Sequence, residues 1–538
     1  MITKEELKRL QEVKTSLENK RDSTKKALWE EVISFCLPEL DPDGNRRKHY
    51  SDAAISYTDK AATALQGWAY GRSISWLTLA LEDDSFDGDK DIKGWLQRCE
   101  DVILKDLSKS SFYDESVALT KIVFNLSTGI MIIDWDESRQ EFIFESLNPV
   151  NVVLQRDKTH RVNVLMYDFS MDKDSAESEF GDKCPEKIRN SKDYTTSWNF
   201  TKAIVSSERF DISVPGDGEW IEVIWAECDK KTALSERRLN VCPFVVWPWA
   251  RSLNNSDWGA GSPGEVMIAT INELNSMHKS NMKAMQLRNE PPIKATEGLA
   301  VNIRPSGITY LKGNQDFSYA PPPGSSVEIM NQEQILDAKL RQAYNVDFFL
   351  MMQQAMENNK TATEASLLSD EKAQFMSAFT SQMTKSFLEP VLEAVFDIEL
   401  RHQRLPKPPE AIQGKELRID YVSPLSIAQK KAQRITPALQ FMNQMFQYAE
   451  LFPSLRHKFR LTEYADYIAS ELNIDTRFLN TEEEVQRLMD EESRAMQEQL
   501  NIQNQLQQAQ AEAKAYQAFS KAPEAGSPAE RMTGGTNG

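Results

Sequence analysis

Histidine and cysteine are scarce in this chain, five of each among 538 residues, and their placement excludes more than their number does. Cys36, Cys99, Cys184, Cys228 and Cys242 are odd in number and too widely spaced for a CxxC pair, so neither a disulfide framework nor a metal knuckle is indicated, and a reducing compartment fits. His49, His160, His278, His402 and His457 each stand more than a helical turn from any other histidine or cysteine, which excludes a helical zinc site. Long apolar runs are missing too. The longest, Ser73–Leu81 and Cys242–Ala250, fall far short of the roughly 18 residues a membrane span requires. Met1–Arg21 is charged and lacks the apolar stretch of an export signal, so neither secretion nor membrane insertion is expected. No Walker-type phosphate loop occurs, which rules out a P-loop motor. Positive charge is in deficit, 63 Lys and Arg against 81 Asp and Glu, for a net −18. That balance opposes tight nucleic-acid binding. It is compatible with loose handling, because an acidic channel keeps a duplex off its walls; the plainer reading is charge that keeps a protein soluble.

What is present is enough apolar material, 40% of residues, to fill more than one core, and the length exceeds what a single core serves. Residues 1–35 read as a helix, with Leu7, Leu10, Val13, Leu17 and Leu28 along one side, ending at Pro38 and the turn Asp41-Pro42-Asp43-Gly44. Helices are expected at 52–70 and 90–108. From 130 to 250 the pattern turns to strands: Ile130–Trp135, Phe142–Glu145, Val150–Gln155, Val162–Phe169, Trp220–Ala226 and Phe244–Trp249. The polar stretch 171–195 reads as an exposed loop or insertion. The fold class is therefore α+β, predominantly helical.

The most informative block is 263–390. Ser262-Pro263, with Glu265 in the first turn, announces a helix running to about Asn289, roughly 39 Å long. Met267, Ile271, Leu274, His278 and Met285 form one stripe along it, passing Asn281. Pro291-Pro292 ends it. Short β-prone pieces follow at Ile293–Thr296, Ala300–Ile303 and Gly307–Leu311, closed by Pro321-Pro322-Pro323-Gly324. A helix resumes from Glu328 to Tyr344 with Ile329, Ile335, Leu336, Leu340 and Ala343, then gives way to the apolar run Val346, Phe348, Phe349, Leu350, Met351 and Met352. Thr361 and Glu364, at capping-box spacing, launch a third helix that reaches Leu388, where Glu389-Pro390 breaks or kinks it. Arg404–Gly414 is a proline-rich linker before a strand at Leu417–Tyr421. Helices are expected at 425–450, 461–473 and from 481 onward. Glu498–Lys521 places Ile502, Leu506, Ala509, Ala513 and Tyr516 on a seam that suits either packing against its own copies or lying on its own subunit. The residues beyond Ala522 have the composition of a disordered tail.

Chemistry-bearing candidates are few. Gly259-Ala260-Gly261-Ser262-Pro263-Gly264 matches a dinucleotide fingerprint but lacks the preceding strand and the downstream acid, so the glycines are assigned to a tight turn and no cofactor is expected. Asp134 and Asp136 share one side of a strand without a partner base, which reads as a solvated strand end. No catalytic group is assigned, and an enzyme is not expected. His278 reads as a polar member of a helix contact. Lys279, Lys283 and Arg288 would ordinarily be solvated, and would meet phosphate if the helix lined a DNA channel. The run Phe348 to Met352 either packs inside the subunit or forms a constriction between neighbouring copies.

The order and spacing of several segments resemble the portal, or head-to-tail connector, proteins of short-tailed, T7-like bacteriophages. These are Cys242-Pro243-Phe244 leading into the first long helix, the Asn345–Lys360 connector, Thr361-Ala362-Thr363-Glu364-Ala365, Phe387-Leu388-Glu389-Pro390-Val391-Leu392, Tyr421-Val422-Ser423-Pro424-Leu425 and Asn480-Thr481-Glu482-Glu483-Glu484-Val485. The resemblance covers nearly the whole chain. It implies a portal fold: a wing body at 1–262, stem helices at 263–290 and 328–345 and a clip at 291–327. A tunnel loop at 346–360, a wing return helix and linker at 361–423, a crown at 424–483, a C-terminal barrel helix at 484–521 and a tail at 522–538 complete it. It further implies a homo-dodecameric ring at one vertex of the capsid, assembled in the host cytoplasm, through which double-stranded DNA passes loosely and without sequence preference. Terminase, the tail adaptor and the capsid and scaffolding proteins would be its partners, with no membrane involved. Phe348, Phe349, Leu350, Met351 and Met352 would form the constriction, Lys279, Lys283, Arg288 and Lys360 would touch DNA, and Lys294, Arg304 and Lys312 would serve docking at the clip. The alternative is a non-channel helical scaffold or adaptor that oligomerises through 498–521.

Overall fold

The computed structural model describes residues 2–41, 49–72, 76–81, 90–303 apart from 211, 213, 217 and 255, 308–319, 326–350, 379–412, 417–421, 441–442, 464, 468 and 482–520. The chain divides into two compact units, Met1–Phe441 and Met442–Gly538.

In the first unit, α1 (Lys4–Arg21) begins at Thr3, whose hydroxyl accepts from the Glu6 N–H while the Glu6 carboxylate accepts from the Thr3 N–H. A π turn over Asp22–Lys26 separates α1 from α2 (Ala27–Cys36), so the single helix expected over 1–35 is two helices joined by a bulge. The helices α3 (Ala53–Tyr70) and α4 (Lys90–Lys109) match the sequence pattern, and β1 (Leu77–Leu81) lies between them. An unexpected helix, α5 (Phe112–Leu126), is buried on nearly all sides, Phe112, Leu119, Val123, Phe124 and Leu126 being wholly hidden. A helix without a polar face shows no amphipathic period to read.

Nine strands follow the helices of the body or accompany them: β2 (Thr128–Asp136), β3 (Glu141–Leu147), β4 (Val152–Arg156), β5 (Val162–Met171), β6 (Trp198–Ser206), β7 (Trp220–Ala226), β8 (Asp229–Leu239) and β9 (Phe244–Pro248), with β1 before them. The eight from β2 to β9 form an antiparallel three-stranded sheet in the order β3-β2-β9 and a five-stranded antiparallel meander from β4 to β8. The pleat divides the core. Ile130 and Ile132 of β2 join a cluster with Trp29, Ile271 and Leu274, whereas Met131 and Ile133 face a second cluster with Phe112, Phe144 and Phe387. In the same way Leu165 and Tyr167 of β5 face one cluster while Val164 and Met166 face another, beneath Leu7, Leu10 and Leu17 of α1. The stretch 171–195 is not a bare loop: α6 (Lys173–Phe180) and α7 (Glu186–Arg189) bury Phe180, Cys184 and Ile188 against Phe200 and Ile224.

The long helix α8 spans Pro263–Asn289, capped by the Ser262 hydroxyl, and ends where the proline pair begins. Between it and the next long helix only Ile293–Ala295 (β10) and Phe317–Tyr319 (β11) pair among the described residues. The strands expected at Ala300–Ile303 and Gly307–Leu311 do not form over their described residues; Asn302 N–H donates to the Thr309 hydroxyl at 2.9 Å instead of to a ladder carbonyl. The helix α9 (Ser326–Ala343) returns alongside α8, and residues 346–350 continue as a further helical turn. Most of the third helix expected from Thr361 lies outside the described residues. Its end is a π turn, Thr384–Leu388, leading into α10 (Glu389–Arg401) with Pro390 in the first turn, where a missing N–H costs least. The strand β12 (Leu417–Tyr421) closes the body by pairing antiparallel with β1, Leu77 opposite Tyr421.

The second unit is described mainly as one helix, α11 (Glu482–Ser520), whose Leu488, Met496, Leu500, Ile502 and Leu506 are exposed. The expected helix at 425–450, apart from its helical residues 441–442, and nearly all of the 424–483 segment lie outside the described residues, as does the tail beyond 520.

Candidate functional site

The start of α8 is held by shape and by charge. Gly259 lies so close to the Ser127 carbonyl that an added Cβ would sit 2.1 Å from its oxygen, and a Cβ on Gly264 would stand 2.6 Å from the Asn125 Cα. Between them Gly261 has φ +80°, a left-handed backbone that glycine adopts freely. Each glycine of the apparent dinucleotide fingerprint thus has a packing or backbone task. The anion position at the helix start is already taken by Glu265, whose Oε1 accepts from Lys25 Nζ at 2.7 Å and Trp29 Nε1 at 3.0 Å. Lys20 to Asp257 at 2.6 Å adds a second tie between the α1–α2 junction and the approach to α8.

The return end of the α8–α9 hairpin is fastened beside that start by Asn125, a buried residue that sequence reasoning missed. Its Nδ2 donates to the Lys121 carbonyl at 2.8 Å and to the Thr58 hydroxyl at 3.1 Å, and its Oδ1 accepts from the Tyr344 hydroxyl at 2.7 Å. Burial raises the Tyr344 phenol well above its usual range, so it stays a donor. One side chain thus joins α5, α3 and the residue after α9. The available signal was a lone amide in the apolar run Ile122–Leu126.

Along α8 the expected stripe is buried only in part. Ile271 and Leu274 pack under Trp29, Val32 and Ile33 of α2, and Asn281 is buried with its Nδ2 3.4 Å from the Glu333 carboxylate of α9. Met285 at the end of the stripe is 49% exposed, and Met282 and Leu287 beside it are open as well. Asn275 Oδ1 accepts from the backbone N–H groups of Tyr50 and Ser51, at 2.7 and 3.3 Å, and Lys279 Nζ stands 5.3 Å from the Tyr50 ring centre. His278 is half-buried; Lys279, Lys283 and Arg288 are exposed. In the β10–β11 segment Lys294 and Lys312 are exposed, among apolar neighbours that are exposed too: Ile303, Ile308, Leu311, Tyr319 and Tyr310, the last 79% open.

Phe348 and Phe349, placed by the resemblance at a constriction, lie inside the subunit in this structure. They are 3% and 0% exposed, packed inside the subunit with rings of Trp68 and Phe124 at 6.3 and 5.9 Å. The physical cause is the aromatic pocket that α3 and α5 open beneath the end of α9, which an apolar run fills at a gain of about 1.5–3 kcal/mol per large side chain. Leu350 is partly buried against the same cluster. Met351, Met352, Lys360 and Arg304 lie outside the described residues.

Asp134 and Asp136 have structural partners. Arg237 Nη2 reaches Asp134 Oδ2 at 3.2 Å, while Asp136 Oδ1 accepts from the Ser138 N–H and hydroxyl, at 2.8 and 2.6 Å, in the β2–β3 turn. Among the described residues no group of three His, Cys, Asp or Glu side chains is placed to hold a metal ion, and no helix is long and apolar enough to cross a membrane. What the region offers is a long polar-and-apolar hairpin on a rigid base, with exposed cations and large apolar side chains near its tip.

Comparison with known proteins agrees with that build. The family described as bacteriophage head to tail connecting protein matches residues 7–479. The chain is 22% identical over 480 residues to a probable portal protein of Bordetella phage BPP-1, covering 84% of this chain and 85% of that protein. It is 23% identical over 512 residues to a portal protein of Salmonella phage epsilon15, covering 90% of this chain and 91% of that one. With one match extending from the first helix of the body to the edge of α11, this chain belongs to the bacteriophage head-to-tail connecting protein family.

Proposed function

We propose that the protein is a phage portal: a closed ring of copies, twelve by the resemblance noted above, at one vertex of the capsid, serving as a structural channel for DNA entering and leaving. The observation that carries this reading is the exposure, in one copy, of Met282, Met285 and Leu287 on α8, Ile335 on α9 and Ile303, Ile308, Tyr310, Leu311 and Tyr319 between them. So many large apolar side chains on one hairpin call for neighbours of the same kind, and a closed ring supplies them to every copy equally. In this reading α8 and α9 are the stem and residues 291–327 the clip. Lys279, Lys283 and Arg288 offer weak, sequence-independent contacts to phosphate inside an otherwise acidic lumen. Lys360 would join them, and Lys294, Lys312 and Arg304 would meet the terminase and later the tail adaptor. Phe348 and Phe349 anchor the constriction, which Leu350, Met351 and Met352 and the residues after them would form. The portal is assembled with capsid and scaffolding proteins before it becomes part of the virion.

A mass measurement of the purified protein tests the ring. Multiples of the 61.4 kDa chain that appear in negative stain as rings with a central hole are expected; a strict monomer at micromolar concentration across several salt conditions overturns the reading. The exposed Leu500, Ile502 and Leu506 of α11 favour a second reading, a helical scaffold that associates through that helix. An oligomer without a hole, lost on truncation after Glu498, would identify it.

A further inference from the structure

Glu399 lies in the last turn of α10 with none of its surface exposed. Arg404 Nε is 3.2 Å from Glu399 Oε2. The same guanidinium turns Nη2 to Asp106 Oδ2 of α4, another buried carboxylate. Asp106 has a further cation in Lys109, 3.4 Å away and mostly exposed. Among the described residues Glu399 is ion-paired with Arg404 alone, and the approach is electrostatic, since neither oxygen of Glu399 accepts a hydrogen bond of good geometry. Two carboxylates out of water on one guanidinium cannot both ionise cheaply. Burial, reinforced by Asp106 and opposed by Arg404 and Lys109, pushes Glu399 up to about 7.

Arg404 is also the fastening of the turn that follows α10. Its N–H donates to the Glu399 carbonyl at 3.1 Å, its Nη1 donates to the Gln140 carbonyl in the β2–β3 turn at 2.9 Å, and its cation lies 5.1 Å from the Trp135 ring centre. His402 stacks on that same ring at 4.9 Å, its Nε2 3.7 Å from Glu137. Two residues beyond Arg404, the Pro406 carbonyl accepts from Trp95 Nε1 of α4 at 2.9 Å. The chain therefore leaves α10 strapped to α4 on one side and to the β2–β3 hairpin on the other, before it runs to β12.

We propose that Glu399, Asp106 and Arg404 form a proton-operated latch, closed when Glu399 carries a proton bridging it to Asp106, and loosened when that proton is lost. In the closed state the pair carries one negative charge against Arg404. In the open state it carries two, out of water and against a single positive charge, and the repulsion between the carboxylates loosens the contact. The charged groups facing Glu399 are Asp106 and Lys109 from α4 and Arg404 from the turn; on its own helix Asp397 is engaged with Arg401, and Glu137 from the hairpin faces His402. Because the folded value lies above the ordinary 4.5 of a glutamate, the stabilisation is full below that ordinary value and is lost as pH rises through about 7.

Hydrogen exchange of the full-length protein, corrected for the intrinsic pH dependence of exchange, tests the latch at about pH 6 and about pH 8. In the wild type, protection of residues 402–412 is expected to fall by about tenfold between the two, the equivalent of one unit of linkage. Glu399→Gln should keep its protection at both values, because it removes the charge but leaves Arg404 on Asp106. Asp106→Asn should shrink the dependence without abolishing it, because the repulsion from Asp106 goes while the burial of Glu399 remains. Equal protection of the wild type at both values overturns the proposal, as does a pH dependence of unchanged size in Asp106→Asn. Glu100, which burial also raises to about 7, accepts from the Leu79 N–H and reports at β1 instead, so the two effects separate by peptide. If Glu399→Gln fails to fold, the wild type and Asp106→Asn decide the matter between them.

Discussion

The body and the hairpin built on it bury their large side chains by opposite rules. In the body Trp68, Trp76, Phe112, Phe124 and Trp247 are wholly hidden, and Phe112 alone lies within 6.2 Å, centre to centre, of Tyr70, Trp76, Tyr113, Phe144 and Phe387. Towards the tip of the hairpin Met282, Met285, Leu287, Tyr310 and Ile335 remain open. The body is complete in one copy. The hairpin has a complete base, where Ile271, Leu274, Leu336 and Leu340 are buried, and an incomplete tip. Stability of the subunit therefore resides in the first region, and in the proposed ring association would reside in the second.

The largest effect that should separate them is Phe112→Ala, expected to cost about 3–5 kcal/mol through lost burial and the cavity left among five rings. Urea unfolding at low protein concentration measures it, and a loss under about 1 kcal/mol would break the contrast. At the junction between the regions, Gly264→Val forces a side chain onto the Asn125 backbone and is expected to cost about 1–3 kcal/mol by overpacking. It should also impair assembly, because α8 must tilt to make room; normal assembly with normal stability would show that the junction yields freely. Tyr344→Phe leaves the buried Asn125 Oδ1 without its donor, for about 1–2 kcal/mol in the same unfolding assay. Met285→Ala with Leu287→Ala should change subunit unfolding by no more than about 0.5 kcal/mol each and yet weaken the oligomer, as sedimentation would show. If the pair destabilised the subunit and left the oligomer unchanged, the tip would belong to the body.

Local signals made the long helix legible. Ser262-Pro263 and Pro291-Pro292 act through backbone geometry that no distant residue needs to supply, and α8 runs from Pro263 to Asn289 as those signals require. The strands β2, β3, β5, β7 and β9 were equally readable, being short, apolar and bounded by turn residues. By contrast β8, with the sequence Asp229–Leu239, is rich in charge and helix formers, and becomes a strand because β7 offers it a full antiparallel partner. The helix α5 gave no period, since both its sides are covered. The glycines at 259–264 were assigned to a tight turn, but the contacts that need them, Ser127 and Asn125, come from more than a hundred residues earlier in the chain.

The run at Phe348 and Phe349 shows where sequence reasoning stops. Its apolarity demands burial, yet burial in the subunit and burial between subunits have the same composition, and only the pocket formed by Trp68 and Phe124 decides between them. Asn125 and Glu399 are further cases, because a polar residue in an apolar segment says that a partner exists and not which one. By itself, then, the amino-acid order determined helix limits, turn positions, the strand-rich middle of the body and the family. The tertiary structure decided which faces are covered, which polar groups meet and where two carboxylates share one arginine. The physical reason is range: capping, proline and glycine act over a few residues, while burial and charge pairing depend on neighbours that only the folded chain brings together.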